Sequence, residues 1–394
     1  MPSCRNGTQN CRKRHDSQPS SVRTMNFAFS EEQEEFRRQV RKWLEQNAPS
    51  PVVRQLMETD SGFDREVWKE TADLGWQAMA IPEEQGGAGF GYLELTILFE
   101  EMGRSLFPAP FLSTLGLAMP LISDLGSEEQ KQEMLSAIAL GEKTVAVAFT
   151  EPSGNWDPGM VETSAVADGD GWAIEGRKSF VVDGASADDL LVSANTDKEI
   201  GIFVVAGDND AVEKRGLETL DQTRKLAEVT FSGARASRLG ESENGLAALR
   251  RMVDKAIVLL AAEQVGGAQK CLEMSVDYAK TRHQFGRPIG SFQAIKHKCA
   301  DMLVQVESAK SAAYYAGWAA SEDNEELATV APLAKSYCSE AYFYCASENI
   351  QIHGGIGFTW EHDAHLYFKR AKSSQLLFGD PAYHRARLGD LLGI

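Results

Sequence analysis

No apolar run in this chain approaches the roughly 20 residues needed to cross a bilayer as a helix. No GxGxxG follows a strand-like stretch to open a helix, so a Rossmann nucleotide domain is not indicated. Internal repeats are absent as well, which excludes solenoids and propellers. Positive charge is scarce: 40 Lys and Arg stand against 57 Asp and Glu, a net charge of −17. That balance argues against a nucleic-acid backbone or an anionic membrane as partner. The six cysteines, Cys4, Cys11, Cys271, Cys299, Cys338 and Cys345, include no CxxC pair. The last four lie in helical patterns and are expected to be small core or surface residues of a cytoplasmic protein. His353, His362 and His365 lack metal spacing with a fourth ligand, so no metal is expected.

What is present is 394 residues with 43% apolar content, enough for two or three domains and a large core. Residues 1–24 differ from the rest, with five Lys or Arg, one Asp and almost nothing large and apolar. They are expected to be disordered, and either Met25 is the natural start or the extension is dispensable. From residue 25 to 142 the pattern is helical, opened by a capping-box pair at Ser30 and Gln33. At about residue 143 the texture changes to short runs rich in Val, Thr and Phe, separated by Gly, Asp and Asn turns. This reads as an antiparallel β domain ending near residue 238. From 239 to 394 the pattern is helical again. Its first helix, Leu246–Ala279, is apolar on most sides and so is expected to be buried on most sides.

Two stretches carry polar groups where a chain normally only turns. TRHQFGRPIGSFQAIKH (281–297) puts Arg282, Gln284 and Phe285 at a helix junction, with Gly286 and Pro288 breaking the chain before the next apolar face. Arg282 can offer a bidentate fork to a phosphate. QIHGGIGF (351–358) holds three glycines in four residues, Gly354, Gly355 and Gly357. Such a loop lets backbone N–H groups approach a polar ligand closely. Taken singly, each stretch also fits an ordinary interhelical turn, and Arg282 also fits a surface cation beside a helix end.

Together with AIPEEQGGAGFG (80–91), AFTEPSGNWD (148–157) and EGRKSFVV (175–182), these motifs resemble the acyl-CoA dehydrogenase family, in family order and across nearly everything after residue 25. The resemblance implies an N-terminal helical domain, a middle β-barrel domain and a C-terminal four-helix domain. It also implies FAD and α,β-dehydrogenation of an acyl-CoA thioester. A carboxylate takes the proton next to the thioester carbonyl, and the cofactor takes a hydride from the next carbon. Carried over residue by residue, Phe149 and Thr150 line the flavin ring, and Phe180 takes the place of a tryptophan that covers it. Arg282, Gln284, Phe285, Gln351, Gly354 and Gly355 match the segments that reach across a dimer interface to a partner's FAD.

Other positions depart from the family pattern. Trp156 stands where a substrate-contacting serine is usual, and Val182 where a threonine or serine donates near the flavin. The base is missing from both of its usual places, which hold Phe378 and Ala256. Glu263, seven residues after Ala256, is the candidate replacement, with Asp380 and Glu361 behind it; Glu263 also fits a structural ion pair in a buried helix. GFTWEHD and LLFGDP resemble the branch acting on steroid side chains or other bulky acyl-CoAs, some of which are α2β2 heterotetramers. The expectation is therefore a dehydrogenase subunit that lacks the base, completes the FAD site of a partner and passes electrons to an electron-transfer flavoprotein. A homo-oligomer with a displaced carboxylate base stays open, as does an acyl-CoA oxidase. A non-enzymatic relative that binds nucleic acid would need a basic groove, which the charge disfavours.

Overall fold

A computed structural model describes residues 29–394. Residues 1–24, with Met25, Cys4 and Cys11, lie outside the described residues. Six helices come first: α1 (Glu31–Asn47), α2 (Ser50–Met57), α3 (Arg65–Asp73), α4 (Tyr92–Ser105), α5 (Met119–Leu125) and α6 (Glu128–Ala139). The capping box at the start of α1 is formed: the Gln33 N–H donates to Ser30 Oγ at 3.1 Å, and the Ser30 N–H to Gln33 Oε1 at 2.9 Å. Leu112–Ala118, ahead of α5, winds as a π-helix and is wholly buried.

Seven strands follow, β1 (Val145–Ala148), β2 (Ser164–Asp168), β3 (Gly171–Val182), β4 (Asp189–Asn195), β5 (Ile200–Ala206), β6 (Val212–Gly216) and β7 (Leu226–Arg238). The pairings β4–β2–β3–β7–β5–β4 close on themselves into a barrel, with β1 flanking β4 and β6 flanking β7. The sheet is not purely antiparallel: β1 and β2 each run parallel to β4. The run KTVAVAFTEP reads as one more alternating strand, and its direction is set by tertiary packing that sequence pattern does not carry. The barrel interior is apolar, filled by residues such as Leu190, Val192, Phe203, Val229 and Phe231.

The chain ends in α7 (Gly245–Thr281), a two-stranded hairpin of β8 (His283–Gln284) and β9 (Arg287–Pro288), then α8 (Gln293–Ser321), α9 (Leu327–His353), α10 (Ala364–Leu376) and α11 (Pro381–Leu392). α7 is packed by α4, α8, α9 and α10, which accounts for its all-round apolar sequence. Two glycines allow the contact with α4. A Cβ on Gly266 would fall 1.8 Å from the Glu100 carbonyl oxygen, and one on Gly103 would fall 2.0 Å from that of Glu263. The backbones of α4 and α7 therefore touch at the level of Glu263. No described helix is long and apolar enough to cross a membrane.

Candidate functional site

The first half of the site forms where the barrel meets the C-terminal helices. β1 runs straight into Phe149 and Thr150, both buried. The Ser179 N–H donates to the Thr150 carbonyl at 2.8 Å and ties this segment to β3. The same segment is pinned by a buried ion pair that the sequence reading did not single out: Lys178 Nζ lies 2.6 Å from Glu151 Oε1. Glu151 also accepts from the Glu162 and Thr163 N–H groups. Burial brings the Lys178 ammonium down to about 8, against the pull of Glu151. Glu151 is thus the structural centre of the TEP motif, and no local pattern in the sequence pairs it with Lys178, 27 residues later.

Next to that pair the β3–β7 register slips between Lys178 and Val181. Phe180 sits in the slip with φ +56 and is 37% exposed. A bulge of this kind re-aims a side chain, and a positive φ on a bulky residue is strained. Of six non-glycine residues at positive φ among those described, three are Phe180, Phe285 and Phe378, all singled out from the sequence. Strain of this sort clusters at functional sites.

Phe378 follows α10 in a tight turn with φ +60 and is only 2% exposed. Its ring lies edge-on to Trp156 at 5.6 Å and 6.1 Å from Phe149; Trp156 in turn is 6.1 Å from Phe180. Ala256, Phe149 and Phe378 belong to one buried apolar cluster, with Trp156 packed against it and Val182 inside it. Phe378 thus sits among the rings of Phe149 and Trp156, and Ala256 in the same apolar core. No carboxylate belongs to that cluster.

Glu263 is elsewhere on the same helix. Seven residues of α-helix place it about 10 Å from Ala256. Both of its oxygens are engaged, Oε1 with Arg370 Nη1 at 2.9 Å and Oε2 with Arg224 Nη2. Arg370 is held further by Asp221 at 2.9 Å and by Thr223 Oγ1. Burial pushes the Glu263 carboxyl upward, but Arg224 and Arg370 outweigh it and hold the carboxyl below its ordinary value. A general base working near neutrality needs the opposite shift and a free oxygen. Asp380 caps α11, accepting from the Tyr383 N–H at 2.8 Å. Glu361 is exposed.

The second half of the site is at the far end of α7. Arg282 is the C-cap residue, exposed, and its guanidinium forms no ion pair with a described carboxylate. Beyond it the β8–β9 hairpin projects, with Phe285 at φ +54 and 92% exposed, and Gln284 exposed beside it. The glycine loop is held against this end through Tyr278, whose ring stacks on His353 at 4.3 Å; His353 meets His362 at 4.4 Å. Gln351, Gly354 and Gly355 are exposed. A Cβ added to Gly354 or Gly355 would meet nothing within 4 Å, and Gly355 has no positive φ to explain it. Gly354 has a φ of +62, which favours glycine, whereas at Gly355 neither backbone nor packing calls for it, and the bare backbone there is open to close approach from outside. The histidines form ring stacks, and among the described residues no group of three or more His, Cys, Asp or Glu could hold a metal ion.

The two halves do not meet within one chain. From Ala256 to Arg282 is nearly all of the C-terminal two-thirds of α7, about 39 Å at 1.5 Å per residue. That is longer than an extended dinucleotide.

Three family models match consecutive stretches of the chain. The acyl-CoA dehydrogenase N-terminal domain matches residues 30–142, the middle domain residues 146–234 and the C-terminal domain residues 243–392. The chain is 37% identical over 361 residues to the acyl-CoA dehydrogenase IpdE2 of Mycolicibacterium smegmatis, covering 91% of this chain and 98% of that one. Among solved structures, the Tcur3481-Tcur3483 steroid ACAD superposes with a TM-score of 0.84 at 32% identity, over 92% of this chain and 98% of that one. The ChsE4-ChsE5 complex from Mycobacterium tuberculosis superposes with a TM-score of 0.86 at 28% identity, over 94% and 99% of the two chains.

Proposed function

The chain belongs to the acyl-CoA dehydrogenase family, an FAD-dependent oxidoreductase family, and from that premise we propose that it is the subunit without a base in a two-chain dehydrogenase. FAD, when bound, supplies the hydride acceptor for α,β-dehydrogenation of an acyl-CoA. The observation that carries the proposal is that Ala256 and Phe378 lie in the apolar core while Glu263 is tied to Arg224 and Arg370, so the chain offers no free carboxylate there; Arg282 and its hairpin, about 39 Å away along α7, would serve a cofactor held mainly by another subunit.

In this reading Arg282 donates to the diphosphate, and Gln351, Gly354 and Gly355 let it approach the loop. Phe285 inserts at the partner interface, which accounts for an apolar ring left 92% exposed. Phe149, Thr150 and Phe180 belong to this chain's own flavin-facing surface. Trp156 and Phe378 fill the space where substrate and base would meet, so proton abstraction falls to a carboxylate of the partner. Glu263 is a fixed structural anion. Electrons leave through an electron-transfer flavoprotein, and the acyl group is bulky, as a steroid side chain is. Two solved relatives support the substrate class and the assembly, since one is the Tcur3481-Tcur3483 steroid ACAD and the other the ChsE4-ChsE5 complex.

The test is to purify the chain with and without a homologous partner chain and measure flavin content and mass in solution. Co-purified protein is expected to contain both chains in equal number with flavin bound, and the lone chain to hold little flavin. A lone chain that forms a homo-oligomer with one flavin per subunit would contradict the proposal.

A further inference from the structure

Beneath the Phe378 turn lies a lysine that forms no salt bridge with a described carboxylate, Asp380 acting on it only at longer range. Lys335, on α9, is wholly buried. Its Nζ lies within hydrogen-bonding distance of Ser339 Oγ at 2.9 Å and donates to the Gln375 carbonyl at 3.1 Å and the Gly379 carbonyl at 3.2 Å; as a neutral amine it keeps both carbonyl bonds and accepts from the Ser339 hydroxyl. Gln375 is in the last turn of α10, where carbonyls lack helical partners, and Gly379 directly follows Phe378. From the other side the His384 Nε2–H donates to the Phe378 carbonyl at 3.0 Å. Both positive-φ residues of the turn, the strained Phe378 at φ +60 and Gly379 at φ +107, are thus held by their carbonyls. We propose that Lys335 is a positioning residue that latches this turn, so that Phe378 cannot leave the aromatic cluster without breaking the Lys335 hydrogen bonds to the Gln375 and Gly379 carbonyls. Only the description of Phe378 as a plug rests on the functional reading above; the latch itself rests on the geometry.

The latch has a definite proton balance. The charged or titratable groups facing Lys335 are Asp380 and His384 from α11 and Cys338 on its own helix; α7 contributes only Gln264, whose amide donates to Ser339 Oγ at 3.0 Å. Burial pulls Lys335 down to about 7, with Cys338 and Asp380 pushing weakly back. Once the turn lifts and water reaches the amine, its pKa returns toward its ordinary 10.5. Opening therefore takes up one proton between those values, and raising the pH through that window makes opening rarer, by about tenfold per pH unit. His384, brought to about 3 by burial and neighbouring cations, acts only below its ordinary 6.5. Cys338, pushed by burial from 9.0 to about 12, acts only above 9.0 and in the opposite sense. The interval from about pH 7 to 9 isolates Lys335.

Hydrogen exchange of the assembled, flavin-loaded protein reads this directly. The Leu377 and Gly379 amides, bonded to Ser373 and Leu376, report the turn. Their protection, corrected for intrinsic exchange, is expected to rise about tenfold per pH unit between about pH 7 and 9 while peptides of α7 stay flat. In Lys335→Met the slope is expected to vanish. A flat wild-type profile, a slope that survives in Lys335→Met, or a slope shared by the whole C-terminal domain would each overturn the latch. The wild-type profile decides alone if Lys335→Met does not fold. A lone chain active through its own cleft would remove the plug reading of Phe378 and leave this exchange profile untouched.

Discussion

Arg282→Lys is expected to leave the assembled protein folded and largely free of flavin. Arg282 is exposed and outside any core cluster, so nothing in the fold depends on its side chain. Its value lies in the planar fork, which matches two phosphate oxygens at once; an ammonium offers a single point of contact. Losing one charge-assisted hydrogen bond costs about 1.5–3 kcal/mol, or roughly 10- to 150-fold in affinity. Flavin absorbance per subunit after desalting measures this, with far-ultraviolet circular dichroism as the check on folding. Equal flavin in wild type and Arg282→Lys would remove Arg282 from the cofactor site.

Glu263→Gln is expected to destabilise the protein by about 3–5 kcal/mol, because it leaves Arg224 and Arg370 as buried charges with one carboxylate fewer between them. The effect has a pH signature. The folded pKa of Glu263 lies below its ordinary 4.5, so the pair's contribution is complete above that value and is lost as pH falls through the folded pKa. Denaturant midpoints of wild type and Glu263→Gln should therefore differ most near neutrality and converge in acid. Turnover of the assembled enzyme, assayed below the variant's melting temperature, should persist. If Glu263 were a recruited base, turnover would vanish in a protein of nearly unchanged stability.

Much of the fold was legible because its signals are local. Ser30 and Gln33 encode the start of α1 without help from the rest of the chain, and the all-round apolar run of α7 announced its burial. The parallel placement of β1 against β4 was not legible, since strand direction is a property of the closed barrel. The site divides the same way. The motifs brought Phe149, Thr150 and Phe180 to one place and Arg282, Phe285 and Gly354 to another. Spacing alone could not say that α7 holds those places apart. Glu263 was visible as a costly charge in an apolar helix. Its partners, Arg224 and Arg370, lie 39 residues before it and 107 after it, a separation that no periodicity reports. Lys335 was hidden for the same reason, because its acceptors are backbone carbonyls of another helix and turn.

The central claim is that this chain completes a dehydrogenase whose base belongs to another chain. The most direct measurement is acyl-CoA turnover with an artificial electron acceptor, for the lone chain, for the chain with its homologous partner, and for the pair with the partner's candidate glutamate changed to glutamine. A base must reach the substrate proton directly or through one water, and Phe378 and Ala256 offer none. The account predicts no turnover alone, turnover with the partner, and loss of that turnover when the partner's glutamate is removed. Turnover by the lone chain, in a stably folded protein, would contradict it.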